Sequence, residues 1–295
     1  MSNAAGDRPV ALPEGAASGA LATDQDARDA VQLLAERPLV VLTGAGLSTD
    51  SGIPDYRGPG SVARTPMTFG EFVSGPAAQQ RYWARSHLGW SRMARAVPNA
   101  GHRALAELEQ QGHVETLITQ NVDGLHEAAG SHPVALHGRV AQVICLGCRR
   151  TSSREALAAE LDRLNPGYAE AHRDVASLPD GDVDLAETAD FNVPACPACG
   201  GVLKPDVVFF GENVPADRVR RCYDAVEALA DSGGALLVAG SSLVVMSGLR
   251  FVKRAASLDV PVVIVNRGAT RGDALATYRI DQGCSEFLTA LLEAA

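Results

Sequence analysis

No stretch of this 295-residue chain approaches the roughly 20 consecutive apolar residues of a membrane-spanning helix, so no membrane partner is expected. Basic residues are scarce: 26 Lys and Arg stand against 35 Asp and Glu, a net charge of -9. Binding a phosphate backbone needs a basic face, which argues against nucleic acid as the main partner. The same acidity suits a protein that meets cationic segments such as lysine-bearing peptides, though many unrelated proteins share it. The N-terminus carries a single Arg (Arg8) and no apolar run ahead of Asp24 and Asp26, unlike a signal or transit peptide, so a cytoplasmic protein is expected. Residues 1–24, rich in Ala, Gly and Pro, read as a disordered tail. No internal repeat appears at solenoid or propeller periods. Aromatics make up only 5% of the chain, and they gather in residues 55–100 as Tyr56, Phe69, Phe72, Tyr82, Trp83 and Trp90.

What the chain does have is a series of short, continuous apolar runs: Pro38–Thr43, Glu115–Thr119, Ala235–Ala239 and Pro261–Val265. Continuous rather than alternating runs of this length mark strands buried on both faces, as in parallel sheets. Helical patterns lie between and around them at Asp26–Glu36, His102–Gln111, Asp217–Ala230 and residues 284–294. Alternating strands and helices predict an open α/β sheet with right-handed crossovers. Residues 55–100 and 139–203 interrupt the alternation and read as insertions that build a second, smaller lobe. The larger lobe is expected over about 25–55, 101–138 and 204–295. The smaller takes 56–100 together with a metal module at 139–203.

Four of six cysteines form two C-x-x-C pairs, Cys145/Cys148 and Cys196/Cys199. In a chain with no secretion signal this points to metal rather than disulfides. Four thiolates make a closed tetrahedral zinc site with no position for substrate, so the zinc is expected to be structural. A nucleic-acid-binding ribbon is the rival reading, opposed by the acidic segment Pro179–Asp190 between the pairs. Glycines 147 and 200 are expected to ease the knuckle turns.

Further motifs stand at the predicted strand ends. Gly44-Ala45-Gly46-Leu47-Ser48 follows the first strand and can bring backbone close to a pyrophosphate at a helix start, with Ser48, Thr49 and Asp50 as caps. The third glycine of a full dinucleotide fingerprint is missing, and a plain strand-to-helix turn is the alternative. Thr119–Gly130 places Gln120, Asn121 and Asp123 at a carboxyl edge, where a ligand site and a solvated loop are both open readings. His137, between Leu136 and Gly138, can serve as a general base of near-neutral titration or as a structural histidine. Lys204–Glu212 reads as an edge strand that pairs with a peptide, or as a core strand. Gly240-Ser241-Ser242 and Asn266-Arg267-Gly268 end the last two strands with groups suited to phosphate and ribose.

Together these blocks, in this order and over about residues 25–295, resemble the sirtuins, the NAD-dependent protein deacylases. The run from Tyr82 to Trp90 and the long insert between the cysteine pairs look most like class II sirtuins. The resemblance implies a Rossmann-like parallel sheet with an inserted zinc-binding lobe, with NAD and one structural zinc. It implies NAD contacts from Gly44, Ala45, Gly46, Ser48, Gln120, Asn121, Asp123, Gly240, Ser241, Ser242, Asn266, Arg267, Gly268 and Cys284. Asp55, Tyr56 and Arg57 would belong to a loop that closes on the cofactor.

In the same comparison Asn121, Asp123 and His137 are the catalytic set, with His137 as base. The resemblance also implies that Val208, Phe209, Gly211 and Glu212 line a peptide cleft for acyl-lysine-bearing proteins. The implied products are free lysine, nicotinamide and O-acyl-ADP-ribose. ADP-ribose transfer to protein from the same NAD site is the competing activity. A non-catalytic NAD-sensing module could dispense with His137 and Asn121, and both are present. Sirtuins that prefer succinyl or malonyl groups carry a Tyr and an Arg three apart. Ser86 and Gly89 fall at those places, and Tyr82/Arg85 only imitate the spacing, so a charged acyl group is not expected.

Overall fold

The computed structural model describes residues 24–55, 66–172 and 188–295. The expected tail at 1–23 lies outside them. Residue 24, assigned to that tail, instead opens the first helix, α1 (Asp24–Ala35). Next come β1 (Leu39–Thr43), α2 (Phe69–Phe72), α3 (Pro76–Met93), α4 (Ala100–Gln110), β2 (Val114–Thr119) and α5 (Leu125–Ala128). Then follow β3 (Val134–Ala135), β4 (Gly138–Cys145), β5 (Thr151–Ser153), α6 (Arg154–Leu164), α7 (Tyr168–Ala171) and β6 (Leu203–Val207). The chain closes with α8 (Ala216–Ser232), β7 (Ala235–Ala239), α9 (Met246–Ser257), β8 (Val262–Val265), β9 (Tyr278–Ile280) and α10 (Cys284–Ala294).

Six strands form a parallel sheet in the order β3-β2-β1-β7-β8-β9. Both faces are covered, which is why β7 and β8 are apolar throughout and β1 is polar only at its last residue, Thr43. Leu39 and Val41 of β1 join a core with α1, α4 and α10, while Val40 and Leu42 face a second core under α8 and α9. The order reverses at β1, whose neighbours are β2 and β7. In open α/β sheets such a switch point leaves a crevice at the carboxyl ends of the strands, and ligands bind there.

A second sheet, antiparallel and in the order β5-β4-β6, carries the metal module. β6 was grouped with the large lobe by its sequence position, but it pairs with β4 from Gly138↔Val207 to Cys145↔Leu203. The alternation along β4 is broken because the register shifts between Arg139 and Val143, leaving Ala141 and Gln142 exposed. Phe72, Tyr82, Trp83, Phe191 and Phe209 form the core of this smaller lobe.

Candidate functional site

The glycine turn after β1 does not open an α-helix. Two 3-10 turns, Ala45–Leu47 and Thr49–Ser51, follow it, and Ser48 makes no capping bond through its side chain. Its hydroxyl donates instead to Asp123 Oδ2 (2.7 Å). The glycines are required by the neighbouring turn after β7. A Cβ at Gly44 or Gly46 would fall 2.8 or 2.9 Å from the Gly240 carbonyl oxygen. In return the Gly46 N–H donates to that oxygen (2.8 Å), and the Gly44 N–H donates to Ala239 (3.0 Å). The two turns thus fuse into one floor at the carboxyl edge of β1 and β7.

The end of β2 supplies a polar network on the same floor. The Asn121 amide donates to the Gly44 carbonyl (3.0 Å) and to Ser48 Oγ (3.1 Å). Asp123 accepts from Ser48 through Oδ2 and from the Leu125 N–H through Oδ1 (2.9 Å). Burial raises the Asp123 carboxyl above its ordinary value, while the bonds from Leu125 and Ser48 oppose the rise. Gln120 is held at both ends: its N–H donates to Thr43 (3.0 Å), and its side-chain oxygen accepts from Ser241 Oγ (2.7 Å).

His137 follows β3 and turns back toward this network. Its Nδ1 lies 2.9 Å from the Gln120 carbonyl, which can only accept, so Nδ1 carries the proton. Nε2 then presents its lone pair, 2.8 Å from Ser247 Oγ. Burial depresses the imidazole to about 4; the Gln120 carbonyl opposes the shift and Arg218 adds to it. The near-neutral titration expected for this residue is therefore corrected: the ring is neutral across the physiological range.

These groups share one cleft of about 870 Å³. Of the expected cofactor residues, Gly44, Ala45, Gly46, Ser48, Asp55, Gln120, Asn121 and Asp123 line it. So do Gly240, Ser241, Ser242, Asn266, Arg267, Gly268 and Cys284. Tyr56 and Arg57 lie outside the described residues. His137 and the segment Val208, Phe209, Gly211 and Glu212 complete the wall. The Phe209 ring, however, packs against Phe72 and Tyr82, and Glu212 pairs with Lys204 (3.0 Å). Asn266 spends its amide on the Arg267 and Gly268 carbonyls (both 3.0 Å), which shapes its own turn. Tyr82 reaches the cleft, whereas Arg85, Ser86 and Gly89 are not among its lining residues.

The sequence reading missed the start of α9, where Val245, Met246, Ser247 and Arg250 also line the cleft. The available signal was position, since a helix following the Gly240–Ser242 turn must begin at the carboxyl edge.

Away from the cleft, Cys145, Cys148, Cys196 and Cys199 bring their four sulfurs within 4.8 Å of one another. The separations of 3.5 Å (Cys145–Cys199) and 3.8 Å (Cys148–Cys196) match the roughly 3.8 Å edge of a tetrahedron with Zn–S bonds of about 2.3 Å. The donor set therefore fits zinc. The second knuckle turns through Gly200 at φ +71°, as expected, but in the first the left-handed residue is Arg149 at φ +62°. Space does not require glycine at Gly147, where a Cβ would make an ordinary 3.5 Å contact with Cys199 Sγ; the tight position is Gly201, where a Cβ would fall 2.9 Å from Cys145 Sγ.

A profile described as the Sir2 family matches residues 44–247. The chain is 55% identical over 267 residues to NAD-dependent protein deacetylase 1 of Mycobacterium avium, covering 89% of this chain and 93% of that one. It is 53% identical over 260 residues to NAD-dependent protein deacetylase 1 of Streptomyces coelicolor, covering 86% and 85%. Among solved structures it resembles a Sir2 complex with a p53 peptide and NAD+, at 32% identity and a TM-score of 0.70, over 90% of this chain and 97% of that one.

Proposed function

The chain belongs to the Sir2 family, and from that premise we propose how its own residues remove acyl groups from protein lysines. It is an NAD-dependent protein deacetylase, with NAD as cofactor and a structural zinc on the four cysteines. Nothing in the relatives favours ADP-ribose transfer to protein. When bound, NAD supplies an anomeric carbon from which nicotinamide leaves as the acyl-lysine carbonyl oxygen attacks. Because the Gly44, Gly46 and Gly240 N–H groups are spent within the fused turns, the backbone left to meet the phosphates is that of Ala45, Ser241 and Ser242. Asn121 and Asp123, braced by Ser48, orient the sugar and face its developing positive charge from a low-dielectric wall. His137 takes a ribose hydroxyl proton on Nε2, the nitrogen its Gln120 bond leaves unprotonated. The segment from Val208 to Glu212 forms the peptide side of the cleft.

The observation that carries this reading is the fixed tautomer of His137 in the same cleft as the Asn121–Ser48–Asp123 network. Its thiol cluster suits a reducing compartment, which supports the cytoplasm as the place of action. The test is mass spectrometry of products formed from NAD and an acetyl-lysine peptide. Free lysine, nicotinamide and O-acetyl-ADP-ribose are expected in equal amounts. ADP-ribose attached to protein without lysine release would replace this reading.

A further inference from the structure

Ser247 is the second residue of α9 and only 7% exposed. A serine in the first turn of a helix usually bonds nearby backbone. Here its hydroxyl reaches across 110 positions to His137 Nε2 at 2.8 Å, its sole hydrogen-bond partner among the described residues. The approach of α9 depends on its next residue. A Cβ at Gly248 would meet the Gln120 side-chain amide at 2.8 Å, so the helix lies close against the strand end. The imidazole is thereby gripped at both nitrogens, by the Gln120 carbonyl from β2 and the Ser247 hydroxyl from α9.

A hydroxyl is both donor and acceptor. Toward the neutral ring, Ser247 donates to the Nε2 lone pair. Nε2 has one lone pair, so the Ser247 O–H must rotate away from it as the ribose hydroxyl arrives; once the nitrogen has taken that proton, the same serine oxygen is placed to accept a hydrogen bond from the new N–H. The second arrangement is charge-assisted, roughly twice as strong as the first. Without it, a buried imidazolium would face an unmet hydrogen-bonding demand at its new N–H, a costly state in a desolvated site.

We infer that Ser247 is a positioning residue for the base step: it holds Nε2 of His137 in the resting enzyme and accepts the hydrogen bond from that nitrogen once the ring is protonated. This rests on the assignment of His137 as base. Nicotinamide departure precedes that step, so Ser247 should affect lysine release and not the first bond cleavage.

The test uses the full chain with NAD and an acetyl-lysine peptide, following lysine release and peptide-dependent exchange of labelled nicotinamide in parallel. Ser247→Ala should lower release by about 10-fold, less than loss of the base itself. Exchange should stay within about two-fold of wild type, and the KM for NAD should not move. Ser247→Thr, which keeps the hydroxyl, should retain release. Ser247→Cys, close in volume but weak as donor and acceptor, should lose it, and this pair decides the matter if the alanine variant does not fold. Equal loss of exchange and release in Ser247→Cys, or release unchanged in Ser247→Ala, overturns the inference alone. Wild-type protein that exchanges nicotinamide but releases no lysine overturns the deacylase chemistry and this inference with it.

Discussion

The two lobes close their cores by different means. In the six-stranded sheet, apolar side chains cover both faces, and the polar groups gather at the carboxyl edge. The small lobe instead folds around four thiols, a cluster of rings and two buried cations. Arg154 is fully buried between Trp83 and Trp90, 5.1 and 5.3 Å from their ring centres, and donates to the Ser86 carbonyl (3.2 Å). Its Nε and Nη1 have no hydrogen-bond partner among the described residues, and burial pulls it down to about 10. Lys204 is 3% exposed beneath the cleft wall. The large lobe can therefore lose a polar contact and keep its core, whereas the small lobe depends on a metal and on charges held out of water.

Removing the metal tests that contrast most severely. A structural zinc contributes on the order of 10 kcal/mol or more to the folding of such a module. Cys196→Ser should lose zinc and expose the backbone of β4, β5 and β6 to rapid hydrogen exchange. β1, β7 and β8, whose cores contain none of the four cysteines, should keep their protection. Mass-resolved exchange reads both lobes at once. Equal loss of protection in both sheets would end the distinction.

The large lobe's strongest response should be chemical. His137→Ala is expected to reduce lysine release by about 10²–10⁴-fold while leaving NAD binding and some nicotinamide exchange. Parallel assays of release and exchange decide it, and equal retention of the two would remove His137 from the mechanism.

How far the sequence announced each lobe follows the same division. Strands buried on both faces are readable from local composition, and β7 was placed at its observed ends. The zinc ligands were equally legible, because the spacing within each C-x-x-C pair is local. β4 escaped because a register shift breaks its alternation and its partner β6 lies some 60 residues onward. α9 escaped because Ser247 and Gly248 are poor helix signals and its N-cap, Val245, makes no side-chain bond. The His137–Ser247 pair spans 110 positions, and no local pattern reports it. The 3-10 turns after Gly44 replaced an expected helix since Ser48, a natural cap, is engaged by Asp123.

Acid should reach the large lobe through two more histidines. His102 and His126 meet edge to face with ring centres 4.8 Å apart, both essentially inaccessible. Burial depresses His102 to about 4; Arg103 adds to this and Asp50 opposes it. Burial, with His102 adding, depresses His126 to about 3. Their folded values lie below the unfolded value near 6.5, so the unfolded chain binds protons first as pH falls. Stability is intact above pH 6.5 and declines from there toward pH 4, by up to about 1.4 kcal/mol per pH unit for each residue. Urea unfolding at pH 7.5, 6 and 5 measures the slope. His126→Asn should remove about one proton from it, and an unchanged slope would place the acid sensitivity elsewhere.

The smallest expected effect lies where the lobes meet, at Lys204. Its ammonium donates to the carbonyls of Val207 (2.5 Å) and Pro205 (3.3 Å), pairs with Glu212 Oε2 (3.0 Å) and sits 4.6 Å from the centre of the Phe209 ring. Glu212 also accepts from the Phe209 N–H (2.9 Å), so the loop from Val207 to Glu212 is wound around one cation. Burial lowers the lysine's pKa and the Glu212 partnership resists the shift, which keeps the charge in place. The same loop touches the base, since the Val208 N–H donates to the His137 carbonyl (2.8 Å). Lys204→Met preserves the apolar stem but removes every bond from Nζ. Glu212 is 27% exposed in its side chain and can turn to water, so the folding cost should be modest, about 1–3 kcal/mol. The loosened loop should raise the KM for an acetyl-lysine peptide by about 3- to 10-fold, worth roughly 1 kcal/mol. The KM for NAD, set by turns on the opposite wall, should stay fixed. A variant that melts earlier but binds peptide as before would confine Lys204 to the small lobe's fold, and a matched rise in both KM values would show that the two walls do not act separately.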